Sequence, residues 1–335
     1  MENAEHPDRG PSPRRGIGCL VTLMGVFAGL GFIGMLIAGL AGGWGGADGQ
    51  LIEHVESTES GATQKLVIID VRGLMVSGSS PWSGPGITRS TLSMLDRALE
   101  DETVAGVLLR LDTPGGAVTD ADLVYQKILQ VRRANKRVVV HMGDMCASGG
   151  IYAAVAADKV WAHPTTLTGS VGVIIHTFNI HKLMAKYGIE DQSVYAAADG
   201  NKPLMSPTRP MSPEHRAILQ GVVDEMYVRF VEIVVERRAL GEGLDARWRD
   251  GRVMTAAAAQ ESGLIDGIGY HDEVLRKLKA LVPGELFNVV RYEPMPSFLG
   301  LLSAKSTERS LEATAFNALG GNSRPMYLYA PGLIP

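Results

Sequence analysis

Short β-branched runs alternate with amphipathic stretches along most of this chain. Residues 65–71 read Lys-Leu-Val-Ile-Ile-Asp-Val, and residues 104–111 and 137–141 carry similar apolar runs, the last with three consecutive valines. Runs this short and β-branched predict buried strands. Shorter strands are predicted at 159–161, 172–175 and 192–196. Between them, Leu92, Leu95 and Leu99 recur at helical spacing within 89–100, and 123–131 and 148–157 read as helices. Ser212-Pro213-Glu214 is a helix start, with serine as the cap and proline at the first helical position, leading a long helix to about residue 240. Helices at 256–261 and 272–281 follow. Strand and helix in alternation predict an α/β fold with a largely parallel sheet and right-handed crossovers. No internal repeat is visible, so residues 65–293 form one unit.

The N-terminal pattern is different. Residues 16–47 contain no charged side chain, and 17–40 are apolar or small throughout, enough to cross a hydrocarbon layer of about 30 Å. A transmembrane helix is expected over 16–40. The rival, a cleaved signal peptide, has an apolar region of only about 7–15 residues. Arg9, Arg14 and Arg15 precede the span while Asp48 and Glu53 follow it. The positive side stays in the cytoplasm, which puts the rest of the chain on the extracytoplasmic side of the cell's inner membrane. Residues 1–15 read as a cytoplasmic tail, 41–64 as a glycine-rich linker, and 294–335 as an irregular C-terminal tail.

Composition narrows the function. Hydrophobic residues make up 45% of the 335, ample for a large core. The net charge of −4, with no basic stripe, argues against nucleic acid as a partner. Two cysteines make no disulfide framework, and no Cys/His spacing suggests zinc, so neither a metal nor a cofactor is expected.

Candidate chemistry centres on Met145-Cys146-Ala147-Ser148-Gly149-Gly150. Here a serine stands between a strand and a helix, where helix N-H groups favour a developing oxyanion. The same residues also fit a plain helix cap. A hydroxyl needs a base. His141, His163, His176 and His181 are candidates, but none lies in a polar, glycine-bounded turn. Lys202, in Gly200-Asn201-Lys202-Pro203-Leu204-Met205-Ser206-Pro207, stands in a loop short of charge. A free lysine with a pKa of about 10.4 is a poor base at neutral pH, and burial that lowers it by about 3 units raises the free amine near a thousandfold. Leu204 and Met205 are neighbours of the kind that desolvate an amine, although an ordinary surface lysine fits the segment too. Leu111-Asp112-Thr113-Pro114-Gly115-Gly116 follows a buried strand and predicts a tight turn whose N-H groups can face a cleft.

Together, Asp112–Gly116, Ala147-Ser148-Gly149-Gly150-Ile151-Tyr152 running on to Ala157-Asp158, Thr168-Gly169-Ser170-Val171-Gly172-Val173 and Gly200–Pro207 resemble the signal peptide peptidase SppA family. These are serine-lysine peptidases of the crotonase/ClpP-like fold, a repeated β-β-α superhelix. Asp250-Gly251-Arg252-Val253 and Gly263–Gly269 look like the family's closing signature, and the chain length is similar to that of its short, single-domain members. The resemblance implies Ser148 as nucleophile and Lys202 as general base. It also implies an oxyanion hole from Gly115 with Gly116 or Gly149, and Ser170 as the residue orienting the lysine. Peptide substrates such as cleaved signal peptides and a ring of identical subunits, an octamer with dyads completed between neighbours, are implied as well. An inactive membrane scaffold of the same fold is the alternative. Pro203 departs from the family pattern, where an acidic residue is common. It removes a backbone donor beside Lys202 and biases that residue toward an extended conformation.

Overall fold

The computed structural model describes residues 51–80, 84–196, 200–240, 246–295 and 326–328. The expected span at 16–40 and the cytoplasmic tail lie outside the described residues. Among the described residues no helix is long and apolar enough to cross a membrane.

The chain opens with β1 (Leu51–Ser57) and β2 (Gln64–Arg72), then a small hairpin of β3 (Ser79–Ser80) and β4 (Gly84–Pro85), and α1 (Ile87–Glu100). Next come β5 (Val104–Thr113), β6 (Gly115–Ala117), α2 (Val118–Arg133), β7 (Arg137–Ala147) and α3 (Gly149–Ala154). After β8 (Lys159–Ala162) and β9 (Leu167–Gly169) stand α4 (His181–Lys186) and the long α5 (Pro213–Arg238). A 3-10 turn (Ala246–Asp250), β10 (Val253–Thr255), α6 (Ala256–Glu261), β11 (Gly267–Ile268), α7 (His271–Leu281) and β12 (Phe287–Pro294) complete the body, and β13 (Met326–Leu328) follows.

The main sheet runs β1-β12-β2-β5-β7-β8-β11. Pairing is parallel from β12 through β11, and antiparallel only where β1 joins β12 and β10 joins β9. Such a sheet needs both faces covered, and the side-chain period of two divides each strand accordingly. Val67, Ile69, Val107, Leu109, Val138 and Val140 pack on one face with Met94, Leu95, Val124 and Ile128 of α1 and α2. Leu66, Ile68, Leu108 and Val139 pack on the other with Val274 and Leu278 of α7. The uninterrupted apolar runs of β2, β5 and β7 follow from this two-sided burial.

Several expectations are corrected. The stretch read as linker carries β1, paired with β12 from Leu51↔Pro294 onward. β7 continues six residues past His141, because β9 takes over as its partner at Met145–Ala147 where β8 stops at Met142. The expected helix at 148–157 is the shorter α3. Residues 172–175 and 192–196 form no strand: every residue of the second is exposed, Val194 at 97%, and among the described residues no sheet edge satisfies its backbone. Within the expected C-terminal tail, the described residues 326–328 form β13. α5 starts as expected, with the Ser212 hydroxyl accepting from the His215 N-H at 3.0 Å.

Candidate active site

Three chain segments meet at the C-terminal end of β7, and backbone contacts hold them there. Ser148 follows β7 directly and caps α3. Its N-H donates to the Gly169 carbonyl at 2.8 Å, and its carbonyl accepts from Tyr152 at 3.0 Å. These bonds pin both sides of a residue in a region that side chains avoid, φ 53° and ψ −111°. Ser148 is 1% exposed, and its hydroxyl reaches the Gly172 carbonyl at 3.4 Å. Strain held by two backbone bonds at one serine is the geometry that aims a side chain out of a sharp turn.

The small residues beside it are required by space. A β-carbon on Gly150 would fall 2.9 Å from the Thr113 methyl and 3.0 Å from the Cys146 sulfur. One on Gly149 would sit 3.2 Å from the Gly116 nitrogen and 3.3 Å from the Gly115 α-carbon. Gly149 therefore packs against Gly115-Gly116 with no room for a side chain between them. Gly115 has φ 103°, which glycine alone adopts readily. Its N-H, however, does not face a cleft: it donates to Thr113 Oγ1 at 3.1 Å inside its own turn. Gly116 lies against Met75, and a β-carbon there would be 2.0 Å from the Met75 carbonyl oxygen. Gly116→Ala should cost about 1–3 kcal/mol as the turn is forced apart. Thermal unfolding of the full chain measures it, and an unchanged midpoint would contradict the close approach.

Ser170 belongs to the same cluster. It follows Gly169, the residue that receives the Ser148 N-H, and shares the positive φ at 53°. Its N-H donates to the Arg252 carbonyl at 2.7 Å, so residue 252 of the expected closing signature anchors this turn. Ser170 is 8% exposed.

Lys202 is not brought to this cluster within the chain. It is exposed, in a turn closed by Leu204 N-H to Asn201 O at 3.1 Å and Ser206 N-H to Pro203 O at 2.9 Å. The expected desolvation by Leu204 and Met205 does not occur in a single copy, because both side chains are themselves only half-buried. The turn belongs to an arm, described over residues 172–196 and 200–212, that follows Ser170. Asp191 ties its two limbs together, accepting from Thr208 at 2.8 Å and Arg209 at 2.9 Å, and Ile180 N-H reaches Pro207 O at 2.8 Å. Hydrogen bonds from the Ser193 hydroxyl and N-H, joined by those from Arg209 and Thr208, hold the Asp191 carboxyl well below the usual carboxylate range. The arm and the adjoining half of α5 expose Phe178, Leu183, Tyr187, Ile189, Val194, Ile218 and Val222.

The histidines take other roles. His141 is buried, its Nε2 donates to the Gly269 carbonyl at 3.1 Å, and burial pushes its pKa down to about 4. With His163 and His271 it lines a cavity of about 410 Å³ whose other walls include Asp112 and Asp144 but not Ser148. His181 Nδ1 meets the Thr208 carbonyl at 3.2 Å in the arm, and His176 packs edge-on against Phe178. Cys146 is fully buried, and burial raises its thiol far above the usual range, which leaves it inert. Among the described residues no group of His, Cys, Asp or Glu could hold a metal ion. Sequence reasoning did not single out Thr113, Gly169 or Arg252, whose contacts hold the cluster together. All three stand within the quoted motifs, but their role depends on pairing between distant segments.

Residues 130–283 match Peptidase family S49. A putative signal peptide peptidase SppA of Enterococcus faecium is 30% identical over 290 residues, covering 82% of this chain and 84% of that protein. Putative protease slr0021 of Synechocystis is 32% identical over 210 residues, 63% of this chain and 72% of that one. Protease 4 of Salmonella typhi is 29% identical over 244 residues, 72% of this chain but only 38% of that longer protein. The fold and these relatives define a serine peptidase with a mixed α/β sheet. The chain belongs to peptidase family S49, the SppA family.

Proposed function

We propose that this chain is a membrane-anchored endopeptidase in which Ser148 attacks the scissile carbonyl and Lys202 of a neighbouring copy takes its proton. The observation that carries the reading is the Ser148 turn itself, strained at φ 53° and packed by Gly149 onto Gly115-Gly116 with Ser170 one residue from its backbone partner. Attack forms an ester between Oγ and the acyl carbon, and the protonated amine then gives its proton to the leaving nitrogen. The same amine next activates water, which breaks the ester and frees the serine. A lysine amine is an effective base only when desolvated. A single copy leaves Lys202 exposed on an arm rich in exposed apolar side chains, and a second copy packed on that arm supplies the missing cover. Since the Gly115 N-H is held by Thr113, the Gly116 and Gly149 N-H groups are the donors assigned to the oxyanion.

The finer architecture fits this reading as a crotonase/ClpP-like fold with one N-terminal span at 16–40, and the assembly as a homo-oligomeric ring. An N-terminal anchor would hold the active site near membrane-derived peptides, and the name of the Enterococcus faecium relative points to cleaved signal peptides as the class of substrate. A serine-reactive phosphonate tests the reading directly. Mass spectrometry of digested, labelled protein should place the adduct on Ser148, and labelling elsewhere or none would overturn it in favour of a scaffold without activity.

A further inference from the structure

Two backbone bonds pin Ser148 in its strained turn, and one of them comes from Tyr152, whose N-H donates to the Ser148 carbonyl at 3.0 Å. Tyr152 belongs to α3, a helix of six residues and so less than two turns. A helix this short does not hold its own geometry. Its grip on Ser148 is therefore only as firm as the anchoring of Tyr152. The Tyr152 ring is fully buried, edge-on to Tyr125 of α2 at 5.4 Å and tilted against Phe230 of α5 at 5.1 Å between ring centres. A phenylalanine would fill the same place. The hydroxyl adds direction: it donates to Asp122 of α2 at 2.6 Å and accepts from Arg229 Nε of α5 at 3.2 Å. Arg229 Nη2 donates to the same Asp122 oxygen at 2.9 Å, which closes a ring of hydrogen bonds joining three helices behind the candidate nucleophile.

We propose that Arg229 and Asp122 are positioning residues of the peptidase, which fix the Tyr152 hydroxyl and through it the Ser148 turn and the Gly149 N-H assigned to the oxyanion. This rests on the reading of Ser148 as nucleophile. Strain at one residue persists where the surrounding structure over-determines it. At Ser148, with φ 53°, Gly169 fixes the strand side and Tyr152 the helix side. The Arg229 side chain is 54% exposed, and an ion pair at such a surface adds little to stability. Its consequence is directional. The planar guanidinium spans phenol and carboxylate at once, so the phenol keeps one orientation and α3 one rotation about its axis. The three side chains touch neither substrate nor reacting atoms, and they act on the rate by holding the attacking hydroxyl and the oxyanion donor in register.

Tyr152→Phe keeps the ring and removes the hydroxyl, and Arg229→Met keeps the stem and removes the fork. In the full chain each should lower kcat about three- to tenfold with KM nearly unchanged, the effect of one lost hydrogen bond on the working geometry. Phosphonate labelling of Ser148 should slow by the same factor. Arg229→Lys should restore neither, since an ammonium does not span both partners. Because Arg229 acts through the hydroxyl, the double variant Tyr152→Phe/Arg229→Met should be no slower than Tyr152→Phe alone. The unfolding midpoint and the sedimentation of Arg229→Met should stay native, as expected for a surface ion pair. Unchanged kcat and labelling would make the ring of bonds packing alone and overturn the proposal. Losses that multiply in the double variant would overturn it too, by separating Arg229 from Tyr152, and smaller particles would do so by assigning the loss to assembly. Failure of the Ser148 reading would show separately, as activity surviving Ser148→Ala.

Discussion

Ser148→Ala is expected to lower kcat by about 10³-fold or more while leaving KM for peptides nearly unchanged, because in the proposed mechanism the hydroxyl forms the covalent bond and does not hold the substrate. The backbone predicts a second signature at the same position. Alanine carries the same β-carbon as serine, so at φ 53° it keeps the strain and the unfolding midpoint should stay put. Ser148→Gly should lose activity equally but gain stability, by about 1 kcal/mol, since glycine accepts a positive φ without the steric cost. Loss of activity paired with a gain in stability marks a site where conformational strain is spent on function. A steady-state assay with a peptide substrate and thermal unfolding on the same samples test both halves. Near-normal turnover by either variant would remove Ser148 from the chemistry, and a less stable glycine variant would show that the strain is absent.

What could be read from the sequence depended on where each segment finds its partner. β2, β5 and β7 were legible because they are buried on both faces, and two-sided burial writes an unbroken apolar run. The clustering of Ser148, Gly149, Gly115, Gly116 and Ser170 was legible as motif order, and the structure supplies its cause in the backbone bonds from Ser148 to Gly169 and from Ser170 to Arg252. Residues 192–196 misled for the opposite reason. Val194 and Tyr195 have strand composition, but composition records fitness for a pleated surface, and no such surface lies beside them among the described residues of one copy. β1 was missed because its sheet partner lies more than two hundred residues away, and its own exposed half gives little apolar signal. Lys202 combines both difficulties. Its loop suggests desolvation through Leu204 and Met205, but among the described residues no group completes that burial.

That separation predicts a result no single-chain dyad can give. Ser148→Ala and Lys202→Ala should each be inactive alone, yet mixing the two after dissociation and reassembly should restore hydrolysis. If each site takes its serine from one subunit and its lysine from the next around a closed ring, a site is intact when a Lys202→Ala copy is followed by a Ser148→Ala copy. Random equal mixing makes about one quarter of the sites intact, so activity should recover to roughly a quarter of that of the native protein, varying as the product of the two fractions. A dyad formed within one subunit recovers nothing at any ratio. The recovery should also vanish when the exposed apolar arm is disrupted: Leu183→Asp and Tyr187→Asp put charges where a neighbour would pack, and both lie outside the Ser148 cluster. Sedimentation of that double variant should show smaller particles together with the loss of activity. Full activity from dispersed single copies would return Lys202 to its own subunit and require the arm to fold back onto Ser148.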